Sequence, residues 1–205
     1  DEKAVKIMFF PSTPVGELVF FTRGGMVKRS DWNDFTSMRA PGSAIILGEG
    51  DELINAENVN DDMNVLEVTE GGLCLVYRVT EIPVQGRKAA GVRGVKLGEG
   101  DRISFGGQID DEGEIIVMTD TGYVKRVIAS TIDPGARYLK GVKIAELDKS
   151  KVVYIGTVKM PYDMAVNSGG DTFTVNTEDI RLDTRTTKGK WMFKAGITGA
   201  ARFPE

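Results

Sequence analysis

Histidine is absent from the 205 residues. The commonest general base, metal ligand and near-neutral pH switch is therefore missing. Cysteine occurs once, at Cys74, which excludes an internal disulfide and a multi-thiolate zinc site. Its neighbours Leu73, Leu75 and Val76 mark it as a buried, inert thiol, and a reducing cytoplasm is the expected compartment. Long apolar runs are missing too: stretches such as residues 7–10 and 44–47 are short and none exceeds the five residues 73–77, against the ~18 or more that a membrane span needs. No membrane partner is expected. No charged segment leading into an apolar stretch opens the chain, so no signal peptide is expected, and the first residue, Asp1, suggests a fragment of a longer protein. No segment holds a 3.6-residue period long enough for a substantial helix; residues 30–35 could form one helical turn. Positive charge is also short, 26 Lys and Arg against 30 Asp and Glu, for a net −4.

Glycine is what the chain has in quantity, 25 residues, and its placement is periodic. Four segments align: Thr22-Arg23-Gly24-Gly25, Thr69-Glu70-Gly71-Gly72, Thr119-Asp120-Thr121-Gly122 and Asn167-Ser168-Gly169-Gly170. Their last glycines are 47, 50 and 48 residues apart. Each lies between runs of β-formers, as expected of a hairpin turn whose Gly supplies φ > 0. Gly91, Gly141 and Gly189 each follow their hairpin glycine by 19 residues and open a third strand-like run; in the first repeat Gly42 follows after 17. Leu47-Gly48-Glu49-Gly50-Asp51 recurs unchanged as Leu97-Gly98-Glu99-Gly100-Asp101. The unit is thus a hairpin, a loop, a third strand, an acidic turn and a fourth strand. Such a period predicts an all-β, propeller-like array of about four four-stranded blades. The expected repeats are 17–63, 64–113, 114–161 and 162–205 in a single domain spanning 1–205. The opening run 4–10 is expected to be a strand completing an end blade, because an array must cover its edges.

Charge sorts by phase within the repeat. Residues 49–70 hold eight acids and no Lys or Arg. Residues 85–96 hold Gln85, Arg87, Lys88, Arg93 and Lys96 with no acid. The matching loops carry Arg137, Lys140 and Lys143, then Arg185, Lys188 and Lys190. The first repeat offers Arg39, and its hairpin adds Arg23, Lys28 and Arg29, with Lys125 and Arg126 as counterparts in the third. In a radial array equivalent positions share one rim, so these form a basic arc suited to phosphate, where local field outweighs net charge. These residues are the candidate DNA-binding set. The bland alternative is a set of solvated loops, disfavoured by one sign recurring at one phase.

Two stretches carry a family resemblance. Residues 114–143, with Glu-Ile-Ile-Val-Met-Thr-Asp-Thr-Gly-Tyr-Val-Lys-Arg at the start and Lys-Gly-Val-Lys at the end, are similar to a blade of the gyrase A C-terminal domain. So are residues 84–102, Val-Gln-Gly-Arg-Lys-Ala-Ala-Gly-Val-Arg-Gly-Val-Lys-Leu-Gly-Glu-Gly-Asp-Arg. The resemblance implies a β-pinwheel, a disc whose blades exchange strands and whose basic rim bends duplex DNA. It further implies a non-catalytic piece of the A subunit of a bacterial, ATP-dependent type II topoisomerase, with no cofactor of its own. Its partners would be duplex DNA, the rest of the A subunit, and the ATPase-bearing B subunit. Gyrases mark one blade with the box Gln-Arg-Arg-Gly-Gly-Lys-Gly. Here Gln85-Gly86-Arg87-Lys88-Ala89-Ala90-Gly91 keeps only Gln85, Arg87 and Gly91. That departure, and four repeats rather than about six, resembles topoisomerase IV, with a divergent gyrase the alternative.

Other patterns carry less. Gly98-x-Gly100 lacks the third glycine and the following helix of a dinucleotide fingerprint. Asp110-Asp111-Glu112-Gly113 lacks the spacing of a calcium loop. Trp32, Phe35, Tyr138 and Trp191 are expected to pack beside loops, since duplex DNA offers no free base faces. A propeller-like scaffold for a protein partner is the competing function, and it would need an exposed apolar hot spot.

Overall fold

The computed structural model describes residues 4–8, 15–36 and 42–203. In chain order its elements are β1 (Glu17–Thr22), β2 (Met26–Asp31), the one-turn helix α1 (Asn33–Thr36), β3 (Leu53–Asn58), β4 (Asn64–Thr69), β5 (Leu73–Arg78), β6 (Val92–Arg93) and β7 (Ile103–Ile109). There follow β8 (Glu114–Thr119), β9 (Tyr123–Ile128), β10 (Val142–Lys143), β11 (Val152–Val158), β12 (Asp163–Ser168), β13 (Asp171–Asn176), β14 (Lys190–Trp191) and β15 (Gly199–Arg202). A 3₁₀ turn follows β5, β9 and β13 in turn. All strand pairs are antiparallel, in sheets ordered β3-β1-β2-β6, β10-β5-β4-β7, β11-β8-β9-β14 and β13-β12-β15.

The hairpins fall where the glycine period puts them, with Gly25, Gly72, Gly122 and Gly170 all at positive φ. The third run behaves differently. Its strand is two residues long, and it leaves its own repeat to pair with the hairpin before it: β6 with β2, β10 with β5, β14 with β9. Each of the first three blades is therefore completed by the repeat that follows. This is the strand exchange that the family resemblance implies, in an array of about four blades as expected. Three sheets have four strands, and the fourth sheet has three among the described residues.

The opening segment is corrected. Residues 4–8 form no strand, and Phe9 and Phe10 lie outside the described residues. Val5 and Ile7 are exposed, and the segment is held by Met8 against the cluster of Phe20, Trp32 and Phe35. The edge of β2 that it could have paired with is already occupied by β6. The helical turn lies at Asn33–Thr36, while Ser30 and Asp31 end β2.

Apolar residues fill the spaces between sheets rather than one centre. Val19, Phe21 and Val27 of the first sheet meet Val65, Leu75 and Tyr77 of the second. Leu66, Cys74 and Val76 meet Ile115, Val117 and Val127 of the third, and Ile116, Met118 and Val124 meet Met164 and Val166 of the fourth. Central strands are therefore apolar on both faces, and runs such as Val65–Val68 are buried without alternation. The sheets converge on β3, β7, β11 and β15, which pack on one another in succession. The exchanged strands β6, β10 and β14 lie at the opposite, outer edges. Among the described residues no helix is long and apolar enough to cross a membrane.

Candidate nucleic-acid interface

The basic loops are the segments that carry β6, β10 and β14, so strand exchange places them on the outer edges of the blades. Positive-φ glycines start each exchanged strand: a Cβ on Gly141 would come within 2.2 Å of the Cys74 carbonyl oxygen. Only a residue without a side chain lets that strand approach its host hairpin.

Successive loops are joined by one arginine each. The Arg87 Nε donates to the carbonyl of Ser43 at 3.3 Å. Arg137 donates to the carbonyl of Arg93, and Arg185 to that of Lys143 at 3.2 Å. Donors and acceptors keep the repeat period, so the loops form a continuous chain around the edge. Backbone bonds reinforce it: Ile46 N–H to Ala89 O, Lys96 N–H to Leu139 O, Glu146 N–H to Thr187 O. Arg137 also donates to the Glu81 carbonyl, and its own N–H to the Glu81 carboxylate. These three arginines are half-buried and partly spent on architecture.

Lys88, Arg93, Lys96, Lys140 and Lys190 are exposed, with no carboxylate partner among the described residues. Arg93 donates to the Tyr138 hydroxyl at 3.0 Å and lies 5.8 Å from that ring's centre. Lys143 pairs with Glu146 at 2.8 Å and Lys188 with Asp148. Such exposed pairs exchange readily for another anion. Gln85 bonds through its backbone, donating to Arg29 O and accepting from the Ser30 hydroxyl. Arg39 lies outside the described residues.

The hairpin cations need correction. Lys28 and Lys125 are fully buried and cannot face a ligand. The Lys28 ammonium donates to the carbonyls of Ala44 (2.7 Å) and Arg87 (3.1 Å). That of Lys125 donates to Thr184 (2.8 Å), Arg185 (3.1 Å) and Thr187 (2.7 Å). Burial pushes the Lys125 ammonium down to about 8, against the pull of Asp183, and lowers that of Lys28. The reason is position: β2 and β9 lie inside their sheets, so a cation on the covered face must find acceptors there. Arg29 pairs with Glu17 and Asp61, Arg126 with Glu114 and the Ile180 carbonyl, and Arg23 with Glu52 and Glu70. The Glu17 and Glu114 pairs join the two strands of a hairpin, and the other partners hold the hairpin to its neighbours.

Composition did not single out Glu67, the one carboxylate fully buried among the described residues. It accepts from the Tyr77 hydroxyl at 2.8 Å, and burial raises its pKa to about 8. Its phase holds Phe20 and Val117 in neighbouring blades, so an acid there was the available signal. Cys74 is buried as expected, its thiol pushed up to about 12 by burial. Trp32 packs on Phe35, while Trp191 is exposed at the edge and donates its indole N–H to Thr121 O.

The family model described as DNA gyrase C-terminal domain, beta-propeller, matches residues 16–60, 64–106 and 113–159, three segments that coincide with the first three repeats. The A subunit of DNA topoisomerase 4 from Bacillus subtilis is 31% identical over 204 residues, covering 96% of this chain and 25% of that protein. The DNA gyrase A subunit from Staphylococcus epidermidis is 33% identical over 186 residues, covering 87% and 21%. The chain thus spans about a quarter of the length of these relatives. Among solved structures, the C-terminal domain of DNA topoisomerase IV superposes with a TM-score of 0.88 at 23% identity, over 95% of this chain and 64% of that one. The DNA gyrase A C-terminal domain gives 0.81 at 19%, over 95% and 68%. At those identities the superpositions speak for the fold.

Proposed function

Because the chain belongs to the DNA gyrase C-terminal domain family of β-propellers, we propose that it is the duplex-binding, DNA-bending module of a type II topoisomerase A subunit. The observation that carries this reading is the loop chain itself. Equivalent basic loops of successive blades are tied edge to edge, and Lys88, Arg93, Lys96, Lys140 and Lys190 are exposed along it. A curved row of cations neutralises successive phosphates and releases their counterions, which favours DNA laid along the edge. The loops present no helix to a groove, so contact is with the backbone and carries little sequence preference. Cleavage would belong to the remainder of the A subunit, ATP turnover to the B subunit. The altered box at residues 85–91 favours a parent enzyme of the topoisomerase IV kind, which relaxes or decatenates.

Binding measured at several salt concentrations on two unrelated duplexes tests the reading. With about 6 phosphates engaged, log K against log salt should slope near −5. A flat response, or strong preference for one duplex, rejects it. The competing protein-docking reading draws on Ile128 and Leu182, exposed apolar residues beside Arg185; it predicts no salt-dependent duplex binding.

A further inference from the structure

Lys28, Leu75 and Lys125 occupy the same register, third in the second strand of their hairpins, opposite Phe20, Glu67 and Val117. Two blades thus carry an ammonium beneath the outer loop and one carries an isobutyl group. The consequence follows from peptide geometry. In a trans peptide the C=O of one residue and the N–H of the next point in opposite directions. Lys125 draws the carbonyls of Thr184, Arg185 and Thr187 inward, which turns the N–H groups of Arg185, Thr186 and Lys188 outward. Lys28 draws in the carbonyl of Arg87 and turns out the N–H of Lys88. None of these four N–H groups has a protein acceptor among the described residues.

The loop above Leu75 provides the contrast within one molecule. Arg137 and Tyr138 are the counterparts of Arg185 and Thr186. The Arg137 N–H is spent on the Glu81 carboxylate at 2.8 Å, and that of Tyr138 on the Gly94 carbonyl at 2.6 Å. Where the cation is missing beneath, these two amides are consumed internally. The Lys140 N–H, counterpart of that of Lys188, stays without a protein acceptor among the described residues, because the Leu139 and Thr187 carbonyls alike take a backbone N–H of the neighbouring loop. The contrast therefore lies at Arg185 and Thr186.

Outward N–H groups on consecutive residues form a concavity of positive partial charge that holds an oxyanion. Here the consecutive N–H groups of Arg185 and Thr186 form one, with the Arg185 and Lys188 side chains beside it, and the loop over Lys28 offers the single N–H of Lys88 beside the Arg87 and Lys88 side chains. Each borders an open concavity, of about 610 Å³ beside Arg185 and Thr186, lined also by Asp183 whose carboxylate is taken up by the Thr184 N–H, and of about 520 Å³ beside Arg87 and Lys88, lined also by Asp34. We propose that the loops over Lys125 and Lys28 are preformed backbone seats for DNA phosphate oxygens, shaped from below by those buried lysines, while the loop over Leu75 meets DNA through side chains alone. The inference rests on the duplex-binding reading. Lys28 and Lys125 are positioning residues in it, never in contact with DNA themselves.

Amide-resolved NMR titration of the 205-residue chain tests it, with a short duplex in one arm and inorganic phosphate in the other. The amides of Arg185, Thr186, Lys188 and Lys88 should shift downfield in both arms, with those of Arg137 and Tyr138 spared. If duplex binds and these four do not move, the seats are overturned. If duplex does not bind, the duplex-binding reading fails, and the phosphate arm alone decides the seats: shifts at the four amides uphold them, none overturns them. Lys125→Met removes the ammonium at similar length. Exchange of the Thr187 and Glu146 amides, bonded to the Thr184 and Thr187 carbonyls that Lys125 holds, should accelerate while β8 and β9 stay protected, and duplex affinity should fall about tenfold, the equivalent of one charge-assisted hydrogen bond. Unchanged loop exchange and affinity in that variant overturn the role of Lys125. Lys188→Ala, a direct contact, should reduce the salt slope by about 1 and leave loop exchange unchanged. Should Lys125→Met fail to fold, the wild-type titration still decides for or against the seats.

Discussion

At the scale of single residues, burial decides what a charge does. Glu67 sits at a phase that is apolar in neighbouring blades, and its Oε2 bonds only Tyr77. Gly94 leaves it room, since a Cβ there would come within 2.0 Å of the carboxylate. Its pKa, raised from 4.5 to about 8 by burial, means the folded protein holds a proton that the unfolded chain releases. Stability from this group is therefore full below about pH 4.5 and is lost as pH rises to about 8, at up to about 1.4 kcal/mol per pH unit. Glu67→Gln keeps an acceptor for Tyr77 and carries no charge. Urea unfolding across this range should show a slope in the wild type that the variant lacks; equal slopes would contradict the buried-acid account. Lys125 acts in the opposite sense at higher pH: its pKa is lowered to about 8, so its contribution grows as pH rises from there towards its unfolded value of 10.5.

At the scale of elements, the exchanged strand is the joint on which the edge depends. β6, β10 and β14 are two residues each, too short to hold themselves by ladder bonds. They are fixed by the glycine before them, the arginine tie and the carbonyl contacts around it. Gly141 has φ 79 and faces the Cys74 carbonyl, so Gly141→Ala meets both a steric clash and a disfavoured backbone. The expected cost is about 2 kcal/mol or more, read from the midpoint of denaturant unfolding. Gly86 has open space around it and an ordinary φ, so Gly86→Ala in the neighbouring box should change stability by less than about 0.5 kcal/mol. Equal costs at the two sites would show that close approach at the exchanged strand does not matter.

At the scale of the whole molecule, each blade depends on the next repeat for its outer strand, and cores lie between blades. Contacts are thus between neighbours, and the curvature of the loop chain is set by the small turn from blade to blade. A DNA path along such an edge is bent, and its handedness depends on how loops climb or stay level around the disc. The box at residues 85–91 differs from the gyrase form, and only its last residue, Gly91, has positive φ. We therefore expect bending without strong one-handed wrapping. The measurement is a topology assay: the chain is bound to relaxed closed circles, these are treated with a nicking-closing enzyme, and the linking-number change is counted. Little net change is expected. A large shift of constant sign that grows with protein concentration would place the parent enzyme on the gyrase side.

Much of the fold was legible because its signals are local. A hairpin needs β-formers, a polar pair and a glycine able to take φ > 0, all within a dozen residues, and the spacing of Gly25, Gly72 and Gly122 therefore disclosed both turn and period. The recurrence of Arg87, Arg137 and Arg185 at one phase pointed for the same reason to equivalent loops on one edge, where these arginines tie one loop to the next. Strand exchange was implied by the family resemblance alone and not by the local pattern, because Val92 and Arg93 look alike whether they pair with β5 of their own repeat or with β2 of the one before. So was the fate of Lys28 and Lys125. Their strands are covered on both faces, so alternation gives no inside and outside, and Val124-Lys125-Arg126-Val127 reads as a half-exposed strand. Which lysine meets solvent, and which turns loop carbonyls inward, depended on what the next repeat laid over it. That is a long-range contact, and only the tertiary structure could decide it.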